Sequence, residues 1–195
     1  MNSEKPLVSV YCLTYNHEKY IRDCLDGLVM QKTSFPFEVI VHDDASTDKT
    51  AEIVREYENL YPHLFKAIYQ KENQKSKKVR ILRSFVFPLI RGKYVAICEG
   101  DDYWTDENKL QDQISILENN LDCHFCVAGV EEVALDKTPC GVFHPPVPIN
   151  QPFIPPEEFI KQAAKYYFQT SSYVMRYDDW KEYVMNPPEF RKKAK

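Results

Sequence analysis

The sequence predicts an α/β fold with a mostly parallel central sheet and helices on both faces. Over the first 120 residues, four β-rich apolar segments alternate with four amphipathic helical segments, an order typical of parallel sheets. Two of the predicted strands end in paired aspartates, Asp43-Asp44 and Asp101-Asp102. Open α/β sheets hold ligands at the carboxyl ends of their strands, so we expect a site where these pairs meet.

The composition is typical of one soluble globular domain. The chain has 195 residues, of which 44% are hydrophobic and 28% are charged, enough to build one core. The net charge of −4 argues against a dedicated nucleic-acid binder, because such proteins usually present a basic face. No apolar segment is long enough to span a bilayer, and residues 1–6 lack the features of a secretory signal. We therefore expect a cytoplasmic protein that binds no nucleic acid.

Hydrophobic periodicity sets the boundaries of the predicted elements. Strands are predicted at residues 7–13, 37–41, 65–69 and 95–98, and helices at residues 20–28, 53–61, 79–90 and 110–117. Pro88 should kink the third helix or end it early. The basic segment 71–78 is expected to be an exposed, mobile loop.

The pattern is weaker after Leu121. Residues 125–135 are typical of a strand, and residues 139–156 are proline-rich and predicted to be irregular. A helix start is predicted at residues 155–160, with proline in its first turn. Residues 169–176 are predicted to form a short strand.

The six cysteines fall into two groups. Three lie inside apolar patterns and are expected to be small core residues: Cys12, Cys24 and Cys98. The others are spaced, with one histidine, loosely like a zinc site: Cys123, Cys126, Cys140 and His144. Cys123 and Cys126 lie three residues apart on a predicted strand, so their thiols should point to opposite faces. This argues against zinc, and we expect reduced thiols.

The turn after the fourth predicted strand carries the chemistry. Gly100 permits a tight bend, and two carboxylates follow at once. Adjacent carboxylates repel each other unless a cation joins them, and Mg²⁺ typically takes one or two carboxylates plus phosphate oxygens. The sequence therefore predicts a metal-dependent site for a phosphorylated ligand. The alternative is an ordinary acidic turn with both side chains in water.

Three segments, in this order, resemble the nucleotide-sugar-binding portion of family 2 glycosyltransferases, which have the GT-A fold. They are residues 8–16, 41–50 and 92–104, and the likeness covers residues 6–120. The form Glu-Gly-Asp-Asp-Tyr-Trp at residues 99–104 is common in bacterial enzymes that build surface polysaccharides.

The resemblance implies a reaction and its partners. The enzyme would move a sugar from a nucleotide-diphosphate sugar to a hydroxyl of a saccharide or lipid-linked saccharide acceptor. A UDP-sugar is the first candidate for the donor. Inversion and a Mn²⁺ or Mg²⁺ cofactor are implied. Residues 1–120 would be the donor-binding part, and residues 121–195 the truncated start of the acceptor-side part of the same domain. Peripheral association with the inner face of the membrane stays open.

The resemblance also implies roles on the metal side of the site. Asp102 would bind the metal that bridges the diphosphate. Asp101 would contact the ribose or assist the metal. Glu99 would orient the sugar, with a solvated turn acid as the alternative.

On the nucleotide side, Asp44 would accept a hydrogen bond from the base. Asp43 would help it or merely neighbour a helix cap. Tyr15 would pack against the base or serve as a plain packing aromatic. The backbone of Leu13 and Thr14 would line the same pocket.

For three further residues, the sequence allows two interpretations each. Arg80 and Arg83 either neutralise phosphate or lie on a solvated helix face. Trp104 either forms a wall of the acceptor site or anchors the acidic turn.

No residue of the sequence fits the family's catalytic base, usually an aspartate in a later motif. Neither Asp178-Asp179 nor Glu131-Glu132 has the matching context, and we expect the base to lie beyond Lys195. Residues 170–172 resemble a family segment near the acceptor side.

Two other classes are compatible with the pattern. One is a catalytically silent binding module of the same fold. The other is a sugar nucleotidyltransferase, which would need a glycine-rich phosphate loop near the first strand. Residues 14–18 contain no glycine, which disfavours that class.

Overall fold

A six-stranded sheet forms the centre of the molecule. The computed structural model describes residues 5–146, 153–155 and 168–186. The strands are β1 (Val8–Thr14), β2 (Phe37–Asp43), β3 (Phe65–Tyr69), β4 (Tyr94–Ile97), β5 (Phe125–Cys126), β6 (Val130–Val133), β7 (Pro139–His144) and β8 (Val174–Arg176). The order in the sheet is β3-β2-β1-β4-β8-β5, and β6 and β7 form a separate two-stranded sheet.

The first four strands are parallel, and β8 enters between β4 and β5 in the opposite direction. Val10 on β1 lies opposite Val39 on one side and Ala96 on the other. All three are fully buried, as expected for strands covered on both faces. The predicted mostly parallel sheet is therefore confirmed.

Helices and turns cover both faces of the sheet. The helices are α1 (Ile21–Val29), α2 (Thr50–Leu60), α3 (Lys109–Asn119) and α4 (Tyr177–Met185). Buried residues of α1, α2 and α3 pack with Val10 and Cys12 on one face. Tyr11 points to the other face, where Trp180 of α4 stacks on it with ring centroids 5.5 Å apart. Alternate residues of β1 thus serve the two halves of the core.

The helix predicted at residues 79–90, with a kink or an early end at Pro88, is a short and irregular helical segment. A π-helical turn at Leu82–Val86 is followed by a 3₁₀ turn at Phe87–Leu89. Pro88 lies in that 3₁₀ turn, where its missing N–H and its ring prevent a regular helix from continuing.

The predictions after residue 121 need more correction. The single strand expected at residues 125–135 is two short strands in different sheets, and the region expected to be irregular contains β7, which pairs with β6. Pro139 begins β7, a position where a missing N–H is tolerated. The strand expected at residues 169–176 starts only at Val174, after a 3₁₀ turn at Thr170–Ser172. The helix start predicted at residues 155–160 lies, apart from Pro155, outside the described residues.

The first group of cysteines lies in the core, as predicted. Cys12, Cys24 and Cys98 are fully buried, and the Cys24 Sγ lies 3.8 Å from the Cys12 Sγ and 3.6 Å from the Cys98 Sγ. In the second group, Cys140 is exposed, and His144 Nε2 lies 2.7 Å from a Glu132 carboxylate oxygen. All six cysteines fall in the described ranges and are free thiols.

None of the helices in the part of the chain that the structure describes has the length and apolar character needed to cross a membrane.

Candidate functional site

The carboxyl end of β1 is joined to both acidic turns. The Asp44 N–H donates to the Thr14 carbonyl at 3.0 Å, and the Gly100 N–H donates to the Leu13 carbonyl at 3.0 Å. The sheet therefore brings the turn after β2 and the turn after β4 to one edge, on either side of residues 13 and 14. This is the convergence that the two aspartate pairs predict.

A cavity of about 710 Å³ opens at this edge. Its volume lies within the range usual for small-molecule sites. Of the sequence-predicted residues, Leu13, Thr14, Tyr15, Asp44 and Glu99 line it. The remaining lining residues are His17, His42, Lys75, Val79, Arg80, Ile81, Leu82, Arg83, Tyr183 and Val184.

Charged side chains of both signs line the cavity. Lys75, Arg80 and Arg83 supply cations, and Asp44 and Glu99 supply carboxyl groups. Lys75 is close enough to Glu99 for its charge to oppose part of the rise in the Glu99 pKa. A ligand that carries phosphate groups would find cations in this cavity.

The acidic turn holds three carboxyl groups at close quarters. Burial, together with the charges of Asp101 and Asp102, raises the pKa of Glu99 to about 7. The Asp101 side chain is 54% exposed, and its Oδ2 lies 4.0 Å from His17 Nε2. A divalent cation would relieve this repulsion. The described residues contain no group of three metal-ligating side chains. Mg²⁺ usually binds one or two carboxylates together with phosphate oxygens and water.

One oxygen of Asp102 is already engaged by a distant segment. Its Oδ2 accepts hydrogen bonds from the Ser171 hydroxyl at 2.5 Å and from Gln169 Nε2 at 2.8 Å. These residues precede β8, whose antiparallel direction brings its start to the edge where β4 ends.

Asp44 holds the loop that follows β3. Its side chain is nearly buried, and its two oxygens accept hydrogen bonds from the backbone N–H groups of Gln74 at 2.7 Å and Lys75 at 3.0 Å. Asn73 Nδ2 donates to the Asp44 carbonyl at 3.2 Å. The segment 71–78 is mostly exposed, as predicted, but its centre is anchored rather than free.

Asp43 is buried beside Asp44 and serves the turn that leads to α2. Its Oδ2 accepts from the Ser46 N–H at 3.2 Å, and its buried Oδ1 has no hydrogen-bond partner among the described residues. Tyr15 is 42% exposed at the cavity, so its side chain is accessible to a ligand.

Trp104 and Arg83 both make defined hydrogen bonds to backbone carbonyls. Trp104 is buried, and its Nε1 donates to the Ser171 carbonyl at 2.9 Å, so it anchors the acidic turn. The Arg83 guanidinium donates to the carbonyls of Val184 and Met185, at 2.9 Å for Met185, and thereby caps α4. Arg80 is exposed and faces the cavity.

The family model for glycosyl transferase family 2 matches residues 9–147. The chain belongs to glycosyltransferase family 2. An uncharacterized protein of Mycobacterium tuberculosis is 38% identical over 184 residues, covering 91% of this chain and 50% of that protein. The putative teichuronic acid biosynthesis glycosyltransferase TuaG of Bacillus subtilis is 34% identical, covering 73% of this chain and 54% of TuaG. The chain spans about half the length of the curated relatives it matches.

Solved structures of glycosyltransferases share the fold. Staphylococcus aureus TarS 1–349 in complex with UDP has a TM-score of 0.60 at 24% identity, covering 96% of this chain and 52% of that one. The mannosyltransferase PcManGT of Pyrobaculum calidifontis, in complex with GDP-Man and Mn²⁺, has a TM-score of 0.63 at 20% identity, covering 92% of this chain and 47% of that one. These likenesses confirm the predicted GT-A fold.

This family 2 glycosyltransferase domain also has site contacts that the sequence did not predict. Residues 170–172 were expected near the acceptor side, but Ser171, together with Gln169, contacts Asp102. Both residues lie outside the segment that the family model matches, and nothing local in the sequence relates them to Asp102. Lys75 and His17 line the cavity from two loops. The basic composition of residues 71–78 was a signal for Lys75, whereas His17 had none beyond its place after β1.

Proposed function

We propose that this chain is the donor-binding half of an inverting, metal-dependent glycosyltransferase. It would transfer a sugar from a nucleotide-diphosphate sugar to a hydroxyl of a saccharide or lipid-linked saccharide in surface-polysaccharide synthesis. The observation that carries the proposal is the cavity at the ends of β1, β2 and β4, which is lined by cations and by Glu99 of the acidic turn. The family membership and the teichuronic acid role in the name of TuaG support the reaction class and the pathway type.

The nucleotide would lie along the β1 end of the cavity. In this arrangement the base packs on Tyr15 beside the backbone of Leu13 and Thr14, and it donates a hydrogen bond to Asp44. A carboxylate oxygen has two lone pairs, so Asp44 can accept from the base while it holds the loop. Asp43 would help Asp44 by holding the turn that leads to α2.

The diphosphate would lie between the cations of the cavity and the acidic turn. Lys75 and Arg80 would offset its charge, and Asp102 would hold a Mn²⁺ or Mg²⁺ ion. Such an ion, when bound, stabilises the charge that develops on the leaving diphosphate. Asp101 contacts the ribose or assists the ion, and Glu99 orients the sugar.

Transfer with inversion also needs a carboxylate base on the acceptor side. We propose that a residue outside the described ranges supplies it. Residues 1–120 form the donor-binding part, residues 121–195 begin the acceptor-side part, and residues 169–172 return to the donor side. We propose that the reaction takes place in the cytoplasm, where the chain could meet lipid-linked acceptors at the inner face of the membrane.

UDP is the first nucleotide to test, with GDP and dTDP next. TarS 1–349 has been solved with UDP-GlcNAc and PcManGT with GDP-Man, so this fold accommodates both uridine and guanosine donors.

The test is isothermal titration of UDP into the purified chain with and without Mn²⁺, on the wild type, Asp102→Asn and the control Asp122→Asn. Asp122 is an exposed aspartate in the turn after α3. We expect Mn²⁺ to strengthen UDP binding, and we expect this gain to be lost in Asp102→Asn and kept in Asp122→Asn. If UDP, GDP and dTDP all fail to bind the wild type, the proposal is wrong. Binding by the full-length protein without transfer to any acceptor would instead indicate a silent module.

A further inference from the structure

We infer that Ser171 and Gln169 are positioning residues for Asp102, and that they leave only its Oδ1 free to bind the metal. This inference rests on the proposed function, because it assigns how the proposed metal ligand is held.

The direction of the hydrogen bonds at Ser171 is fixed. The Glu99 N–H donates to the Ser171 Oγ at 2.9 Å, so the hydroxyl oxygen accepts on that side. The Ser171 Oγ also lies 2.5 Å from the Asp102 Oδ2. A carboxylate only accepts, so the single hydroxyl hydrogen must point to Asp102. Ser171 is 5% exposed, which keeps water from competing for these positions.

Gln169 supplies the second donor to the same oxygen. Its Nε2 lies 2.8 Å from the Asp102 Oδ2, and its Oε1 accepts the Ser171 N–H at 2.5 Å. The amide orientation of Gln169 is therefore set at both ends. With two donors on Oδ2, the carboxylate can offer only Oδ1 to a cation, which predicts monodentate binding.

The segment that carries these donors is itself fixed. The Trp104 indole N–H donates to the Ser171 carbonyl at 2.9 Å, and the Ile97 N–H donates to the Tyr173 carbonyl at 3.2 Å. The Ser172 carbonyl accepts from Gln113 Nε2 at 3.0 Å. Bonds from β4, the acidic turn and α3 thus hold residues 171–173, so the donors reach Asp102 from a rigid support.

Partners that orient a metal ligand usually change metal affinity 10–100-fold when they are removed. The first variant is Ser171→Ala, which removes the hydroxyl with little change in volume. The second is Gln169→Ala at a half-buried position, which still reports if Ser171→Ala fails to fold. Thr170→Ala is the matched control, because Thr170 lies between the two and is exposed.

The measurement is Mn²⁺ binding followed by electron paramagnetic resonance at saturating UDP, together with the UDP affinity in EDTA. We expect Ser171→Ala and Gln169→Ala to bind Mn²⁺ about 10–100-fold more weakly, with unchanged affinity for UDP in EDTA. Thr170→Ala should match the wild type. In the background Asp102→Asn, Ser171→Ala should cause no further loss, because both changes act on one ligand.

The outcomes distinguish a failure of the proposed function from a failure of the inference about Ser171 and Gln169. If the wild type binds neither Mn²⁺ nor UDP, the proposed function fails, and the inference fails with it. If Asp102→Asn abolishes Mn²⁺ binding while folded Ser171→Ala and Gln169→Ala keep it within twofold of the wild type, only the inference is overturned. A loss of UDP affinity in EDTA equal to the loss of Mn²⁺ affinity would also overturn it, because it would indicate a general distortion of the site.

Discussion

Replacing Asp44 by alanine should release the loop that follows β3. The carboxylate accepts two backbone N–H groups, from Gln74 at 2.7 Å and Lys75 at 3.0 Å. A hydrogen bond to a charged group is worth about 1.5–3 kcal/mol. The loop is partly exposed, and water will replace part of this, so we expect a total loss of about 2–4 kcal/mol. For a chain of this length the loss corresponds to a fall in Tm of roughly 4–16 °C.

Urea denaturation gives the change in the free energy of unfolding, and amide hydrogen exchange locates it. We expect the amides of Gln74 and Lys75 to lose protection in Asp44→Ala, whereas Asp122→Ala should resemble the wild type. A free energy of unfolding within about 0.5 kcal/mol of the wild type, with unchanged protection of both amides, would show that Asp44 does not anchor the loop.

The same variant separates two roles of Asp44 in ligand binding. If Asp44 only accepts a hydrogen bond from the base, Asp44→Ala should weaken UDP binding and leave inorganic pyrophosphate binding with Mn²⁺ unchanged. The loop contacts predict that both weaken, because Lys75 would lose its place on the cavity wall. Unchanged binding of pyrophosphate would contradict a positioning role for the loop.

Other perturbations have defined outcomes. A Cβ at Gly100 would lie 2.7–2.8 Å from atoms of Thr14 and His17, so Gly100→Ala should cost about 1–3 kcal/mol in urea denaturation; an unchanged midpoint would contradict this packing. The folded-state pKa of Glu99 is raised from 4.5 to about 7, so the neutral form stabilises the fold at low pH. The metal-free protein should lose up to about 3 kcal/mol as the pH rises from about 4.5 to 7, and Glu99→Gln should flatten that slope in denaturation at several pH values. Burial lowers the pKa of Lys109 from 10.5 to about 8, so stability should rise between pH 8 and 10.5, and Lys109→Met should abolish the rise.

The parallel half of the fold was predictable because its strands are buried on both faces. Val10, Val39 and Ala96 belong to continuous apolar runs that need no partner to be recognised. In contrast, β5 and β8 have two and three residues, too few for a periodicity. The sequence did not predict the helix α4. The stacking of Trp180 on Tyr11 places this helix, and that contact joins residues far apart in the chain.

The candidate site, like the fold, has features that the sequence predicts and contacts that it does not. The acidic turns at Asp44 and Asp102 follow predicted strands, so their common edge could be inferred from the sequence. The donors to Asp44 are backbone N–H groups, which any residue other than proline supplies, so no side chain marks them. The contact between Ser171 and Asp102 depends on the antiparallel entry of β8, which local sequence does not encode.

The position of β8 late in the sequence also affects how the chain folds while the ribosome makes it. The strand pairs with β4 but follows it by more than seventy residues along the chain. At about 5–20 residues per second, the ribosome needs roughly 4–15 s to make that stretch. During this interval the nascent chain would carry β4 with one unpaired edge, which another chain can join. Slow decoding between β4 and β8 should therefore lengthen the period in which this protein depends on chaperones.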